Sequence, residues 1–340
     1  MDRKDDIILR QLDVIRTMTE NSMNRMGTDF WGNPQPKPEE TAAEKPAETA
    51  KESAEAKTEN ETVTPPESME DLQAELDSYI GLGAVKQEVR NLINMVKVHR
   101  MREENGLPTT ELSLHMVFSG NPGTGKTTIA RLMARIYHSL GILSKGQLVE
   151  VDRSGLVAGY VGQTALKTSK VIEKAMGGVL FIDEAYALNG DGANDFGQEA
   201  IDTVLKAMED HREDLVVIVA GYDALMEKFI HSNPGLESRF NRFLHFEDYT
   251  VEEMMDIFAM QCKKGHYELV EEAREQVEAF IREENDGGIS FGNARGVRNL
   301  FEQILVQQAN RLAGMETVSR DDLTKLLCED IEAARNAAGK

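Results

Sequence analysis

The sequence predicts an α/β domain, its parallel sheet covered by helices, followed by a small all-helical domain. Between Leu112 and Phe246, short apolar runs alternate with segments of helical periodicity. That pattern belongs to a sheet buried on both faces. Within it, Gly120-Asn121-Pro122-Gly123-Thr124-Gly125-Lys126-Thr127-Thr128 fits G-x-x-x-x-G-K-[ST] at a strand-to-helix turn. After Phe246 the strand signals stop and only helical periodicity continues.

Taken in order, residues 5–22 place Ile7, Ile8, Leu12, Val14, Ile15 and Met18 on one broad helical face. A short amphipathic helix is expected within segment 1–30, docked on the protein's own surface or binding a partner. Segment 31–67 holds Pro34, Pro36, Pro38, Pro46, Pro65 and Pro66 amid Glu, Ala, Thr and Lys. It has too little apolar surface to order itself, so a disordered acidic linker is expected. From about Ser68 the pattern becomes globular, with an α/β domain over 68–247 and a helical domain over 248–340.

Val85, Val89, Leu92, Ile93 and Val96 form a helical stripe that suits packing on the sheet. Strands are expected at 112–119, 147–151, 178–182, 215–220 and 243–246. Ile129 to Tyr137 continues the glycine-rich turn as a helix, and further helices are expected at 163–176, 197–210 and 223–230. Thr250-Val251-Glu252-Glu253 is a capping box that opens the helical domain. Helices follow at 251–264, 270–284, 293–313 and 320–335, punctuated by Gly287-Gly288 and Gly292.

Composition narrows the partners. The 59 acidic residues outweigh 38 basic ones, for a net charge of −21. Nucleic-acid backbone and anionic lipid are repelled by that balance, so neither is expected as a partner. Cys262 and Cys328 have no metal-type spacing and read as thiols of a reducing compartment. No apolar run approaches the ~18 residues of a membrane span. At the N-terminus only Ile7-Ile8-Leu9 precede renewed charge, unlike a signal peptide. A cytoplasmic location is the expectation.

The glycine-rich turn carries the first chemistry. Its glycines let backbone N–H groups approach phosphate oxygens, and the helix N-terminus adds partial positive charge. Lys126 can reach the outer phosphates, and the Thr127 hydroxyl can take a Mg²⁺ position. The second element is Phe181-Ile182-Asp183-Glu184, a buried strand ending in two carboxylates. Ligands of open parallel sheets bind beyond the carboxyl ends of the strands. There Asp183 can hold Mg²⁺ and Glu184 can orient and deprotonate an attacking water.

These motifs, together with Asn233-Pro234-Gly235-Leu236-Glu237-Ser238-Arg239-Phe240, resemble the AAA+ ATPases. One branch is closer. Leu76 to Leu82, Tyr160-Val161-Gly162-Gln163-Thr164, FIDEAYAL at 181–188 and Ala220-Gly221-Tyr222 look like the stage V sporulation protein K and CbbX group. CbbX is the red-type Rubisco activase. The resemblance covers roughly 68–335 and leaves the first 67 residues outside.

The resemblance implies an AAA+ module with a helical lid, binding ATP and Mg²⁺ and hydrolysing ATP. Gly120 to Thr127 would be the Walker A loop, and Asp183 and Glu184 the Walker B pair. Ile80 and Gly81 match the stretch lining the adenine. Arg239 matches the arginine finger that reaches the γ-phosphate of a neighbouring subunit, with Arg242 as competitor. Arg295 matches the sensor-2 arginine of the lid, with Arg298 as the alternative. Tyr160-Val161-Gly162 matches the pore loop of remodelling AAA+ proteins, and Asn189 to Phe196 could form a second pore loop. Where many relatives place a small polar sensor-1 residue, this chain has Tyr222-Asp223, and either side chain could serve.

A ring, a hexamer, and a protein client are therefore expected. Three functions compete: an ATP-driven remodeller threading a protein, a nucleotide-gated scaffold, and a nucleic-acid motor or loader. The acidic charge weighs against the last. A remodeller of the sporulation-protein-K type is the favoured reading.

Overall fold

A computed structural model describes residues 66–110, 112–160, 162–190, 196–286 and 291–338. The amphipathic helix at 5–22, the linker up to residue 65, Val161, most of the proposed second pore loop and Gly287-Gly288 lie outside the described residues.

Helix α1 (Met69–Ser78) opens on Ser68, whose side chain accepts from the Asp71 N–H. Helix α2 (Gly83–Glu104) buries the expected stripe Val85, Val89, Leu92, Ile93 and Val96. The sheet then assembles from β1 (Met116–Gly120), β2 (Leu148–Val151), β3 (Val179–Ile182), β4 (Val216–Gly221) and β5 (Arg242–Phe246). Its order is β2-β3-β4-β1-β5, and every pairing is parallel. Strands β3 and β4 are buried at every position. Covered on both faces, they need uninterrupted apolar sequence, and VLFI and VVIVAG supply it.

The first strand begins at Met116 and not at Leu112, because of His115. Its buried ring accepts the Val217 N–H at Nδ1, 3.0 Å away, which a longer strand would have taken as a ladder bond. Burial, aided by the charge of Arg239, pushes the His115 pKa down to about 4. The ring is thus a neutral acceptor.

Helix α3 (Lys126–Ser139) packs over β2 and β3. The short α4 (Arg153–Leu156), α5 (Thr164–Ala175) and α6 (Gly197–Asp210) lie along the chain with β3 between α5 and α6. Apolar residues of α5, α6 and α7 (Asp223–His231) close one face of the sheet over Val117, Leu180, Ile182, Val217 and Val219. Helix α8 (Pro234–Arg239) starts with Asn233 capping the Gly235 N–H and Pro234 in the first turn.

The lid begins with α9 (Val251–Gly265), on the expected Thr250–Glu253 capping box. Helices α10 (Glu271–Asp286) and α11 (Asn293–Ala313) follow. The helix expected at 320–335 is divided into α12 (Arg320–Thr324) and α13 (Cys328–Ala338). Between them β7 (Lys325–Leu326) pairs in parallel with β6 (Glu268–Leu269). A two-residue pairing leaves no period to read, so strands continue past Phe246 against expectation. Among the described residues, no helix is long and apolar enough to cross a membrane.

Candidate active site

The phosphate loop leaves β1 and enters α3 through three glycines in left-handed conformations. Gly120, Gly123 and Gly125 have φ of +139°, +77° and +95°. At Gly120 a Cβ would fall 2.3 Å from the Phe246 carbonyl oxygen, and at Gly123 2.3 Å from that of Gly292. Both conformation and space therefore demand glycine there. The Thr124 hydroxyl, fully buried, donates to the Asn121 carbonyl at 2.8 Å and braces the loop from inside.

Lys126 opens α3 and folds its ammonium over the loop, donating to the Gly120 and Asn121 carbonyls at 2.7 and 2.8 Å. Burial pushes its pKa below the usual lysine value. The charges of Asp183, Asp223 and Asp248 oppose that shift, and Arg295 adds to it. Those five groups thus share one electrostatic neighbourhood. Thr127 and Thr128 follow in the first turn, Thr128 buried.

Asp183 and Glu184 stand just beyond β3, as the sequence placed them. Asp183 Oδ1 accepts the Glu184 N–H at 3.0 Å. Glu184 itself takes a left-handed conformation, φ +48° and ψ +41°, which few non-glycine residues adopt. Strain of this kind gathers at functional sites. Tyr186 and Tyr222 flank the pair, ring centroids 6.1 Å apart. Asp223 bonds His245 Nδ1 at 2.8 Å, so its carboxylate has a neighbour that the sequence did not reveal.

Ile80 and Gly81 precede Leu82, the residue of this segment that reaches the loop. Gly81 has φ +63°, and a Cβ there would lie 2.6 Å from Glu253 Oε1 and 3.0 Å from the Tyr249 ring. Leu82 packs near Gly125, and the Tyr249 hydroxyl donates to the Thr124 carbonyl at 3.4 Å. Arg295 sits where α11 abuts the loop: its backbone nitrogen is 3.0 Å from the Cβ position of Gly123.

Arg239 is at the opposite end of the strands. It ends α8, just before β5, while the loop lies beyond the carboxyl end of β1. The length of β5 separates the two levels, roughly 13 Å. Its guanidinium bonds Glu209 Oε2 at 2.8 Å and the Gly235 carbonyl at 3.3 Å. Arg242, its competitor, is spent on packing, with Nε on the Ser113 carbonyl at 2.8 Å and Nη2 on Met95 Sδ. Tyr160 stands away from the loop on its own segment, with 73% of its surface exposed.

Sequence reasoning did not assign Asp248 or a role for Asn293, although both touch the loop. Asn121 donates to both Asp248 carboxylate oxygens at 3.0 and 2.8 Å. In the sequence Asn293 lies in the Gly292 to Asn299 stretch that resembles sensor 2, with no role of its own; in the structure it and Gly292 both have positive φ.

The fold and the site define an ATPase of the AAA class. Residues 116–248 match the model of the ATPase family associated with various cellular activities (AAA), and residues 250–340 that of the AAA lid domain. The chain belongs to the stage V sporulation protein K and CbbX group of AAA+ ATPases. It is 38% identical to stage V sporulation protein K of Bacillus subtilis, over 80% of this chain and 85% of that protein. To protein CbbX of Cereibacter sphaeroides it is 43% identical, over 85% of this chain and 93% of the relative. The chloroplastic ribulose bisphosphate carboxylase/oxygenase activase of Cyanidioschyzon merolae is also 43% identical, over 79% and 92%. Among solved structures, a Thermotoga maritima RuvB variant superposes with a TM-score of 0.52 at 19% identity, covering 78% of this chain and 72% of that one. The FIGL-1 AAA domain in complex with ADP gives 0.52 at 18% identity, covering 80% and 92%. These two show the shared fold.

Proposed function

We propose that the protein is a ring-forming remodeller, a hexamer, that uses ATP hydrolysis to act on a protein client through a central pore in the cytoplasm. The observation that carries this reading is Tyr160. Tyr160 is 73% exposed, so its aromatic face is open to a client. Glycines at 159 and 162 flank it, and a Cβ at either would meet open space, so neither is there for packing. One relative is named as an activase of another enzyme, which supports a protein client.

In this reading the backbone of Asn121 to Gly125, with Thr127 and Thr128, binds the phosphates of ATP, and Lys126 balances their charge. Ile80 and Gly81 line the adenine. Thr127 and Asp183 supply hard oxygen donors that suit Mg²⁺. The ion, when bound, neutralises charge on the phosphates. Glu184 takes the proton of the attacking water. Arg295, on the helix that touches the loop, reports the γ-phosphate to the lid.

Arg239 acts on the neighbouring subunit's ATP, because its place at the opposite end of the strands keeps it from its own. A planar, permanently charged donor suits the charge of a transferring phosphoryl group. Arg239→Ala should keep ATP binding and lose turnover. Mixing it with Lys126→Ala protein should restore part of the activity, since mixed rings contain intact composite sites. No recovery at any ratio, with mixed rings confirmed by mass measurement, would exclude action in trans.

Tyr160→Ala should keep ring assembly and basal hydrolysis but lose client-stimulated hydrolysis and remodelling. Tyr160→Phe should retain most of both, because the aromatic face and not the hydroxyl provides grip. The check is a paired ATPase and remodelling assay. Wild-type remodelling by Tyr160→Ala would favour a nucleotide-gated scaffold.

A further inference from the structure

Asn293 is 2% exposed, starts the lid helix α11 and uses its side chain entirely on groups outside that helix. Its Oδ1 accepts the Tyr249 N–H at 2.9 Å. Its Nδ2 donates to Asp248 Oδ1 at 2.8 Å and to the Pro122 carbonyl at 3.2 Å. A fixed N–H donor on one side and a carbonyl on the other leave a single orientation of the amide.

Asp248 in turn receives both bonds from Asn121. The result is a closed circuit: Asn121, Asp248, Asn293, Pro122. Two members belong to the phosphate loop, one to the link between β5 and α9, and one to the lid. Beside the circuit, the Ala294 N–H donates to the Gly123 carbonyl at 3.2 Å. The loop and the start of α11 are therefore in backbone contact as well.

We propose that Asn293 is a positioning residue. With Asp248 it clasps the phosphate loop to the lid, so that a change in loop shape on nucleotide binding moves α11 and Arg295 with it. This rests on the nucleotide reading of the loop. This link runs through neutral and charge-assisted hydrogen bonds and acts beside the Arg295 charge. The circuit gives the lid a physical link to the loop.

The pair can be inverted. Asn293→Asp removes both donors and sets a second carboxylate against Asp248, a repulsion in a buried place. Adding Asp248→Asn restores one donor and one acceptor across the same gap, leaving unmade the Pro122 bond and the one that Asp248 Oδ1 accepts from Asn121. Contacting residues couple strongly enough that Asn293→Asp should raise the KM for ATP about tenfold or more, and the double variant should return to within about threefold of wild type.

Hydrogen exchange separates positioning from mere stability. In the wild-type protein a non-hydrolysable ATP analogue should slow exchange both at 121–128 and at the start of α11. At saturating analogue, Asn293→Asp should keep the first response and lose the second, and the double variant should regain both. Asn293→Ala, which adds no charge, replaces the aspartate variant if melting shows the latter unfolded. A normal α11 response in the single variants, or no recovery in the double, would overturn the clasp. A wild-type loop that does not respond to the analogue would overturn the nucleotide reading and the clasp together.

Discussion

Lys126→Ala should weaken ATP binding by about 10²-fold or more, since a charge-assisted hydrogen bond is worth about 1.5–3 kcal/mol and the lysine can make more than one. Lys126 is the cation that opens α3, and its ammonium already lies over the Gly120 and Asn121 carbonyls. Three carboxylates, Asp183, Asp223 and Asp248, surround it. Without it that acidic neighbourhood repels phosphate, so the loss exceeds that of the bonds alone. The fold should survive, because alanine is a good helix former at this position. Fluorescent-nucleotide titration beside a melting curve is the measurement. Unchanged affinity in a folded variant would remove the loop from the nucleotide site.

Glu184→Gln should bind ATP normally and lose about 10²–10⁴-fold in turnover, the usual contribution of a general base. Glutamine matches glutamate in size and can keep its left-handed backbone, φ +48°. The backbone bond from residue 184 to Asp183 Oδ1 is retained as well. Only the capacity to take a proton is lost. Single-turnover and steady-state hydrolysis, run with the binding titration, check it. Near-normal turnover would mean that another group takes the proton from water.

Much of the site was legible because its signals are local. The spacing from Gly120 to Thr127 states a strand, a tight turn and a helix within a few residues. The Asp183-Glu184 pair follows its strand directly. The Thr250–Glu253 capping box appeared where expected, since it depends on one turn of helix. Less legible were His115, which ends the reach of β1 by bonding Val217, and the β6–β7 pairing that divides the last helix. Both depend on partners distant in sequence.

The type of most elements and the nucleotide-binding motifs were legible in the sequence alone, because periodicity and motif spacing are properties of neighbours along the chain. Tertiary structure decided which elements meet. Strand β5 runs parallel beside β1, so that Arg239, just before β5, falls at the end of the strands away from its own loop. The circuit through Asn121, Asp248 and Asn293 joins residues 127 and 45 positions apart. No local pattern encodes such contacts. They form only when burial of the central strands brings the ends of the sheet and the lid helix together, and buried amides must then find partners.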